Sequence, residues 1–499
     1  MTLKEKTISG VLWTGMAKMV MQGFIVLVMV ILARLLNVDD FGIVGMAPLL
    51  TVAISLVNDR GFGISIIQKK NLEMSHLSSV FWGGLSFGVL LFVLFYFFSF
   101  PLAAFLKESR LQPVIAVLSG GFIIGAFGIV QRSLLTREMA FKKLAIIEII
   151  SVAVSGSIAV SMALLGFGLW SLVANILLRY TVDAIAFWIV SDWRPRFYFR
   201  FSEFRGFVGF SSGVMAMDVS VYVNGNVDIT IIEKVLGTAL FGYYSFAMNL
   251  VKVPVTRLSG IVSKVVFPAF SAVQDEREKF KTGYLKSMTF VSLFTFPILA
   301  ALAVLAHEFV VVFLTEKWLP MVLPLVVLTP MAMLKSIGTI RGPVLMARGR
   351  PDIPLIWNIF YFLPLVGAIY WGTHYGLVGV AVAFTGLYLV TFPFIQWITN
   401  KQAGASTMEF LSSIAPASIA TLAMSLAAQL ARMVTKVVFN FPDLGVLLTG
   451  LAVSCLVYII VLWIAKKELI LELYGLVIKK PPKNSIDRRT DVTETAVQI

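Results

Sequence analysis

Residues 78–100 read SSVFWGGLSFGVLLFVLFYFFSF, an apolar run without a single Asp, Glu, Lys or Arg. A helix needs about 20 apolar residues to cross the hydrocarbon core of a bilayer, and this run is long enough. Similar runs recur along the whole chain, of which 58% is hydrophobic and 14% is charged. This composition excludes an ordinary soluble domain. The sequence predicts an all-α polytopic membrane protein.

About fourteen membrane spans are predicted from windows of about 19 residues. Their approximate bounds are 8–32, 43–60, 78–100, 113–131, 144–165, 168–190, 208–231, 236–258, 287–306, 321–346, 354–373, 376–398, 410–431 and 444–465. The first run follows Lys4 and Lys6, as a signal peptide would, but it is too long and lacks a small-residue cleavage site. We interpret it as the first membrane helix.

Lys and Arg collect in alternate loops, for example in 132–143 and 194–205. Because loops rich in Lys and Arg stay in the cytoplasm, these loops and both termini are predicted to be cytoplasmic. The expected location is the inner membrane of a bacterium. The net charge of +14 could indicate nucleic-acid binding, but the positive residues lie between the spans. We therefore expect no nucleic-acid partner.

An internal repeat predicts two related lobes. Six residues recur at a spacing of 200: Ile31, Leu36, Phe41, Gly42, Ala47 and Leu50 match Ile231, Leu236, Phe241, Gly242, Ala247 and Leu250. Further along, Gly168-Leu169 matches Gly376-Leu377. Chance matching of apolar letters is the competing explanation. A duplicated unit of six helices keeps its orientation, so the copies should be related by an axis along the membrane normal.

The repeat and the loops suggest five segments. They are an N-lobe over 1–190 with helices 1 to 6, a cytoplasmic linker over 191–207, a C-lobe over 208–400 with helices 7 to 12, two further helices over 401–465, and a basic cytoplasmic tail over 466–499 that we expect to be disordered at its end. Two lobes of this kind would enclose a cavity between them.

Charged side chains inside spans cost about 2.5–3.5 kcal/mol or more each, so they are the first candidates for function. The cations expected to line the cavity and bind substrate are Lys18, Arg60, Lys252, Arg257 and Lys335. The alternative is that they sit at helix ends and extend their charged tips to the lipid headgroups.

Uncharged polar residues and carboxylates accompany these cations. Thr14, Gln22, Asn226 and Asn249 are the supporting polar residues, and Thr14 and Gln22 share a helical face with Lys18. Asp59, Asp218 and Asp228 are the candidates for binding a coupling ion.

Catalytic and metal chemistry has no support in the sequence. Cys455 is the lone cysteine, which leaves no disulfide framework and no Cys-based metal site. The three histidines are far apart in sequence and no nucleotide-phosphate cradle is present. We therefore expect no metal, no cofactor and no enzymatic activity.

Several short segments stand out in and beside the predicted loops. They are ARLL at 33–36 with DFG at 40–42, RSLLTREMAFKK at 132–143, VVFPAFSAVQ at 265–274, EKW at 316–318 and GRPD at 349–352. With these segments the chain resembles the polysaccharide exporters of the MOP superfamily, specifically the Wzx-type flippases nearest to colanic-acid exporters. The resemblance covers roughly residues 1–400. It implies a two-lobed fold of fourteen helices that works by alternating access.

The resemblance also implies a substrate, an undecaprenyl-diphosphate-linked oligosaccharide that moves from the cytoplasmic to the periplasmic leaflet. The expected partners are this substrate, membrane lipids, and polysaccharide polymerase and export machinery. A diphosphate needs cations in a hydrated cavity while the prenyl tail stays in lipid. The candidate cations above meet that need.

Two alternatives stay open at this point. A cation-coupled multidrug exporter of the same superfamily would use the buried carboxylates, although the spans carry a surplus of positive charge. A membrane polymerase or glycosyltransferase acting on lipid-linked sugar would need a sizeable catalytic loop, and the non-cytoplasmic loops are short.

Overall fold

The computed structural model describes residues 20–46, 66, 73–201, 225–350 and 352–478. Within these ranges it describes the backbone alone for 257–261, 263–265, 268 and 465–478. The described chain is helical with irregular connections, and it contains no strand. This confirms the predicted all-α class.

The N-terminal half contains six helices in the described ranges. They are α1 (Val20–Leu35), α2 (Val38–Gly45), α3 (Met74–Leu106), α4 (Leu111–Arg137), α5 (Phe141–Leu164) and α6 (Leu169–Val190). Asn37 caps α2 in a box with Asp40, whose side chain accepts a hydrogen bond from the Asn37 N–H. Such a box satisfies backbone donors at a helix start.

The C-terminal half continues from α7 (225–236) to α15. Its longer helices are α8 (Thr238–Ala272), α9 (Arg277–Val304), α10 (Val322–Gly338), α11 (Arg341–Ala347), α12 (Asp352–Thr373), α13 (Gly376–Ala403), α14 (Thr407–Met433) and α15 (Asp443–Ile478). Short helical turns over Ala306–Phe309, Val310–Leu314 and Glu316–Met321 join α9 to α10.

Ten of the described helices are long and apolar enough to cross a membrane, and α1 is a shorter apolar helix. The run that opened the sequence lies within α3, which exposes many of its large apolar side chains. Exposure of this kind is expected of a surface that faces lipid. The protein is a multi-pass membrane protein. The predicted spans 43–60 and 208–231 lie mostly outside the described residues.

The sequence repeat corresponds to a reciprocal contact between α2 and α8. A Cβ atom added to Gly42 would lie 2.1 Å from the backbone oxygen of Thr238. A Cβ atom added to Gly242 would lie 2.5 Å from the backbone oxygen of Val38. Gly42 thus contacts Thr238, and Gly242 contacts Val38, each pair being related to the other by the spacing of 200. A two-fold axis between the helices requires such reciprocal contacts. The repeat relates the two halves in space.

The second spacing, 208, is visible in backbone conformation. Gly168 and Gly376 both have a positive φ, 52° and 70°, where α6 and α13 begin. Lys107 and Thr315, also 208 apart, have positive φ values of 59° and 91°. They occupy the related motifs FLKE at 105–108 and FLTE at 313–316, a further part of the repeat that was not predicted from the sequence. The segment boundaries proposed above stay predictions, and residues 479–499 lie outside the described ranges.

The two halves share one apolar core near α2 and α8. It joins Ile43 and Leu118 of the first half to Phe241, Tyr244 and Trp318 of the second. Phe41 packs edge to face on Trp318, with ring centroids 5.3 Å apart. We call the end of the molecule that carries this contact the far end, and the end that carries residues 191–201 the linker end.

The backbone contact makes a testable prediction about Gly42. Replacing Gly42 by Ala places a methyl group against a backbone oxygen. Backbone cannot move aside as the end of a flexible side chain can, so the halves must separate locally. We expect Gly42→Ala to lower stability by about 1–3 kcal/mol, measured as a lower Tm of the purified protein.

Gly120 provides the matched control, because a Cβ atom there meets nothing within 4 Å. In a helix, Gly120→Ala should leave the Tm unchanged or raise it. Equal melting of the two variants would contradict the close approach of α2 and α8.

Candidate functional site

The structure describes some of the candidate site residues. Thr14, Lys18, Asp59, Arg60 and Asp218 lie outside the described residues, and for Arg257 only the backbone in α8 is described. The roles assigned to these residues stay predictions.

The remaining candidates from three helices converge in the C-terminal half. Asp228 of α7 is 3% exposed and accepts a hydrogen bond of 2.9 Å from the Tyr244 hydroxyl of α8. Lys335 of α10 is close enough to interact electrostatically with both Lys252 of α8 and Asp228. The fold therefore assembles Asp228, Lys252 and Lys335, which we call the lysine pocket. They are separated by up to about 107 positions in the sequence.

The lysine pocket carries more positive than negative charge. Lys335 interacts with one cation, Lys252, and with one carboxylate, Asp228, whose Oδ1 atom is buried without a hydrogen-bond partner. Like charges repel strongly in a medium of low dielectric constant, so a bound anion would stabilise the pair. The pocket can therefore bind a negatively charged group such as a phosphate.

The supporting polar residues have different surroundings. Asn249 is exposed on α8, one turn before Lys252, and Asn226 is partly buried at the start of α7. Gln22 is partly buried on α1, and its Oε1 atom is buried without a hydrogen-bond partner. The structure thus places Asn226 and Asn249 on the helices of the lysine pocket and Gln22 in the other half.

A second polar group in the C-terminal half was missed in the sequence. Arg341 of α11 interacts electrostatically with Tyr388 of α13, while its Nε and Nη2 atoms are buried without partners. Nearby, Tyr284 donates a hydrogen bond of 2.6 Å to Asn400, and Gln396 donates to Tyr284 at the same distance. The spacing of Gln396 and Asn400, four residues apart on one helical face, was the available signal.

The far end is held together by cations that bind backbone oxygens across the two halves. Arg34, in the last turn of α1, donates from Nε to the carbonyl of Phe313 at 2.7 Å and from Nη2 to that of Val312. In the opposite direction, Lys317 donates to the carbonyls of Arg34 and Leu36 at 2.9 and 2.7 Å. We call these contacts, with the α2–α8 contact, the seam.

The seam repeats on the other side of the axis. Lys234, which is 200 residues after Arg34, donates to the carbonyl of Phe105, which is 208 residues before Phe313. Its ammonium group also lies 4.0 Å from the centre of the Phe105 ring. These contacts could not be predicted from the sequence, because a lone cation near a helix end does not reveal a partner in the other half.

Carboxylates complete the seam. Glu108 binds the Arg110 guanidinium through both oxygens, at 3.0 and 3.1 Å, and these bonds hold the pKa of Glu108 below its usual range. Glu233, at the end of α7, is 1% exposed, and burial raises its pKa to about 7. Burial also raises the pKa of Asp40 in α2. No group of three or more metal-ligating side chains occurs in the described part of the chain.

Comparison with known proteins agrees with this architecture. Residues 31–323 match the profile of a family described as polysaccharide biosynthesis protein. The chain is 28% identical to the lipopolysaccharide biosynthesis protein WzxC of Escherichia coli strain K12, over 83% of this chain and 85% of that protein. It is 27% identical to the teichuronic acid biosynthesis protein TuaB of Bacillus subtilis strain 168, over 86% and 89%.

A solved structure shares the fold. The lipid II flippase MurJ in an inward closed conformation superposes with a TM-score of 0.75 at 18% sequence identity. The match covers 92% of this chain and 99% of MurJ, so the two chains share their fold. Because the family profile spans more than half of the chain, this protein belongs to the polysaccharide biosynthesis protein family.

Proposed function

We propose that this protein is a flippase for undecaprenyl-diphosphate-linked oligosaccharide repeat units. It moves them from the cytoplasmic to the periplasmic leaflet of a bacterial inner membrane by alternating access, for export of a polysaccharide. The observation that carries the proposal is the lysine pocket, two cations beside one carboxylate inside a membrane-embedded half. Its partners are then the lipid-linked substrate, membrane lipids, and polymerase and export machinery.

The chemistry of the substrate explains why such a pocket is needed. A diphosphate cannot enter hydrocarbon without compensating charge, whereas the apolar prenyl tail is soluble in it. Lys252 and Lys335 supply charge-assisted hydrogen bonds to phosphate oxygens, which are stronger than neutral ones. The headgroup would therefore pass between the halves while the tail stays in the bilayer. The names of the relatives, which concern lipopolysaccharide and teichuronic acid, support a polysaccharide precursor as substrate.

The position of the seam suggests to which side of the membrane this conformation is closed. The basic loops Arg132–Lys143 and 194–200 lie at the linker end, which the positive-inside rule assigns to the cytoplasm. The seam then closes the periplasmic side, and both termini are cytoplasmic. In this state the lysine pocket would be filled from the cytoplasm, and separation at the seam would release the substrate to the periplasm.

The first prediction concerns the substrate. In cells that lack this protein, we expect the lipid-linked oligosaccharide to accumulate in the cytoplasmic leaflet, because a charged headgroup crosses hydrocarbon very slowly without a carrier. Leaflet-specific labelling of the sugar in spheroplasts measures this. Normal arrival at the periplasmic leaflet would exclude this substrate and favour the multidrug-exporter alternative.

The second prediction concerns the lysine pocket. A hydrogen bond to a charged group contributes about 1.5–3 kcal/mol, so Lys252→Ala and Lys335→Ala should each slow translocation by about tenfold or more. Lys252→Arg, which keeps the charge, should retain more activity than Lys252→Ala. The measurement is the rate of leaflet transfer at matched expression.

Lys279 offers a matched control on α9. Its side chain is exposed and pairs with Glu276 on the surface, where an ion pair contributes little. Lys279→Ala should translocate at the normal rate. If Lys252→Ala and Lys335→Ala behaved like Lys279→Ala, the lysine pocket would have no role in binding.

A further inference from the structure

Two carboxyl groups from different halves share one hydroxyl at the seam. The Oγ1 atom of Thr238, the first residue of α8, lies 2.9 Å from Oε1 of Glu233 and 3.1 Å from Oε2 of Glu108. Glu233 belongs to the same half as Thr238, whereas Glu108 lies in the loop between α3 and α4 of the other half. The remaining oxygen of Glu233, Oε2, is buried without a hydrogen-bond partner.

The number of protons in this group is constrained by simple counting. A threonine hydroxyl has one proton, so it can donate to one carboxylate, and an ionised carboxylate can only accept. With both glutamates ionised, one of the two short oxygen–oxygen contacts would lack a proton. The geometry therefore calls for one additional proton, held by one of the two carboxyl groups and donated to Thr238.

The surroundings show which glutamate holds it. Glu108 accepts hydrogen bonds from the Arg110 side chain at both oxygens and from the Arg110 backbone N–H at 3.1 Å. Such a bidentate pair stabilises the ionised form. Glu233 has no comparable partner and is buried. The proton therefore belongs on Glu233, consistent with its raised pKa of about 7.

Charged groups around Glu233 come from both halves. Glu108 and Asp39 oppose its ionisation, and Arg110 favours it. Its neighbour Lys234 is turned to the Phe105 carbonyl in the other half. Asp40, on α2, is bound to the Asn37 N–H and interacts with Arg110 and Lys317. Burial outweighs the net effect of these charges.

We propose that Glu233 is a proton-binding site, which holds a proton while the seam is closed and releases it to water when the two halves separate at the far end. Separation removes Glu108 from Thr238 and exposes the Glu233 carboxyl, so its proton is then lost as from an ordinary glutamate. Closing takes up one proton from the solution at that end. This proposal depends on the proposed function in one respect: alternating access requires that the far end opens.

The sign of the pH dependence follows from linkage. The closed state has the raised pKa, about 7 against the ordinary 4.5, so it binds the proton more tightly than the open state. Closure is fully favoured below about pH 4.5 and loses about tenfold in its equilibrium constant per pH unit up to about pH 7. Above about pH 7 it should depend on pH no further.

The test measures the opening directly. Leu35 and Val235 are exposed, follow Arg34 and Lys234, and are related by the repeat. Spin labels at Leu35→Cys and Val235→Cys, in full-length protein carrying Cys455→Ser and reconstituted in liposomes, report the separation of the halves. We expect the long-distance population to grow between pH 4.5 and 7 in otherwise unmodified protein. Glu233→Gln, which mimics the protonated form, should keep the short distance at every pH.

Glu316→Gln is the control, since Glu316 is an exposed glutamate at the same end and this variant should keep the full pH response. The infrared absorbance of protonated carboxyl groups at pH 6 should be lower in Glu233→Gln than in otherwise unmodified protein, which provides a second readout independent of opening. A pH-independent distance in unmodified protein, an unchanged response in Glu233→Gln, or equal infrared absorbance in that variant would overturn the proposal. If unmodified protein showed the expected pH response but did not translocate the lipid-linked oligosaccharide, the proposed function alone would be refuted.

Discussion

The rest of the structure depends on one close contact, where the backbones of α2 and α8 meet at Gly42 and Gly242. Only residues without a side chain allow carbonyl groups of Val38 and Thr238 to approach so closely. This proximity brings the flanking cations within reach of carbonyl oxygens in the opposite half. Hydrogen bonds to charged donors at an exposed end are strong enough to hold the halves together, yet water can replace each of them. Such a contact can open and close again.

The charges of the protein divide into two groups with different tasks. At the seam, Arg34, Lys234 and Lys317 bind backbone oxygens and so contribute to closure. In the C-terminal half, Lys335 interacts with Lys252 and with Asp228, so two cations accompany one carboxylate and positive charge is available to a ligand. A headgroup bound in the lysine pocket would therefore be separated from the far side by the closed seam. Opening of the seam and access to the pocket are thus alternating events in the proposed cycle.

Much of the fold follows from the sequence, because length and hydrophobicity determine a membrane helix locally. The apolar run at 78–100 predicted α3. The sequence repeat that includes Gly42 and Gly242 predicted the paired halves. The convergence of Asp228, Lys252 and Lys335 could be expected only in outline, since it depends on how α7, α8 and α10 cross. Glu108 and Glu233 resembled solvated loop residues. The burial of Glu233 and its shared contact with Glu108 arise from closure between segments 125 positions apart, which no local pattern reveals.

The most direct test is to prevent the seam from opening. Arg34 and Phe313 are exposed and joined across the two halves, so cysteines at both positions, with Cys455→Ser, can be linked by a cleavable thiol reagent about as long as an arginine side chain. Leaflet transfer of the lipid-linked oligosaccharide is then measured before linking, after linking and after cleavage. The account predicts transfer in the unlinked protein, its loss on linking and its return on cleavage. Undiminished transfer by fully linked protein would contradict it.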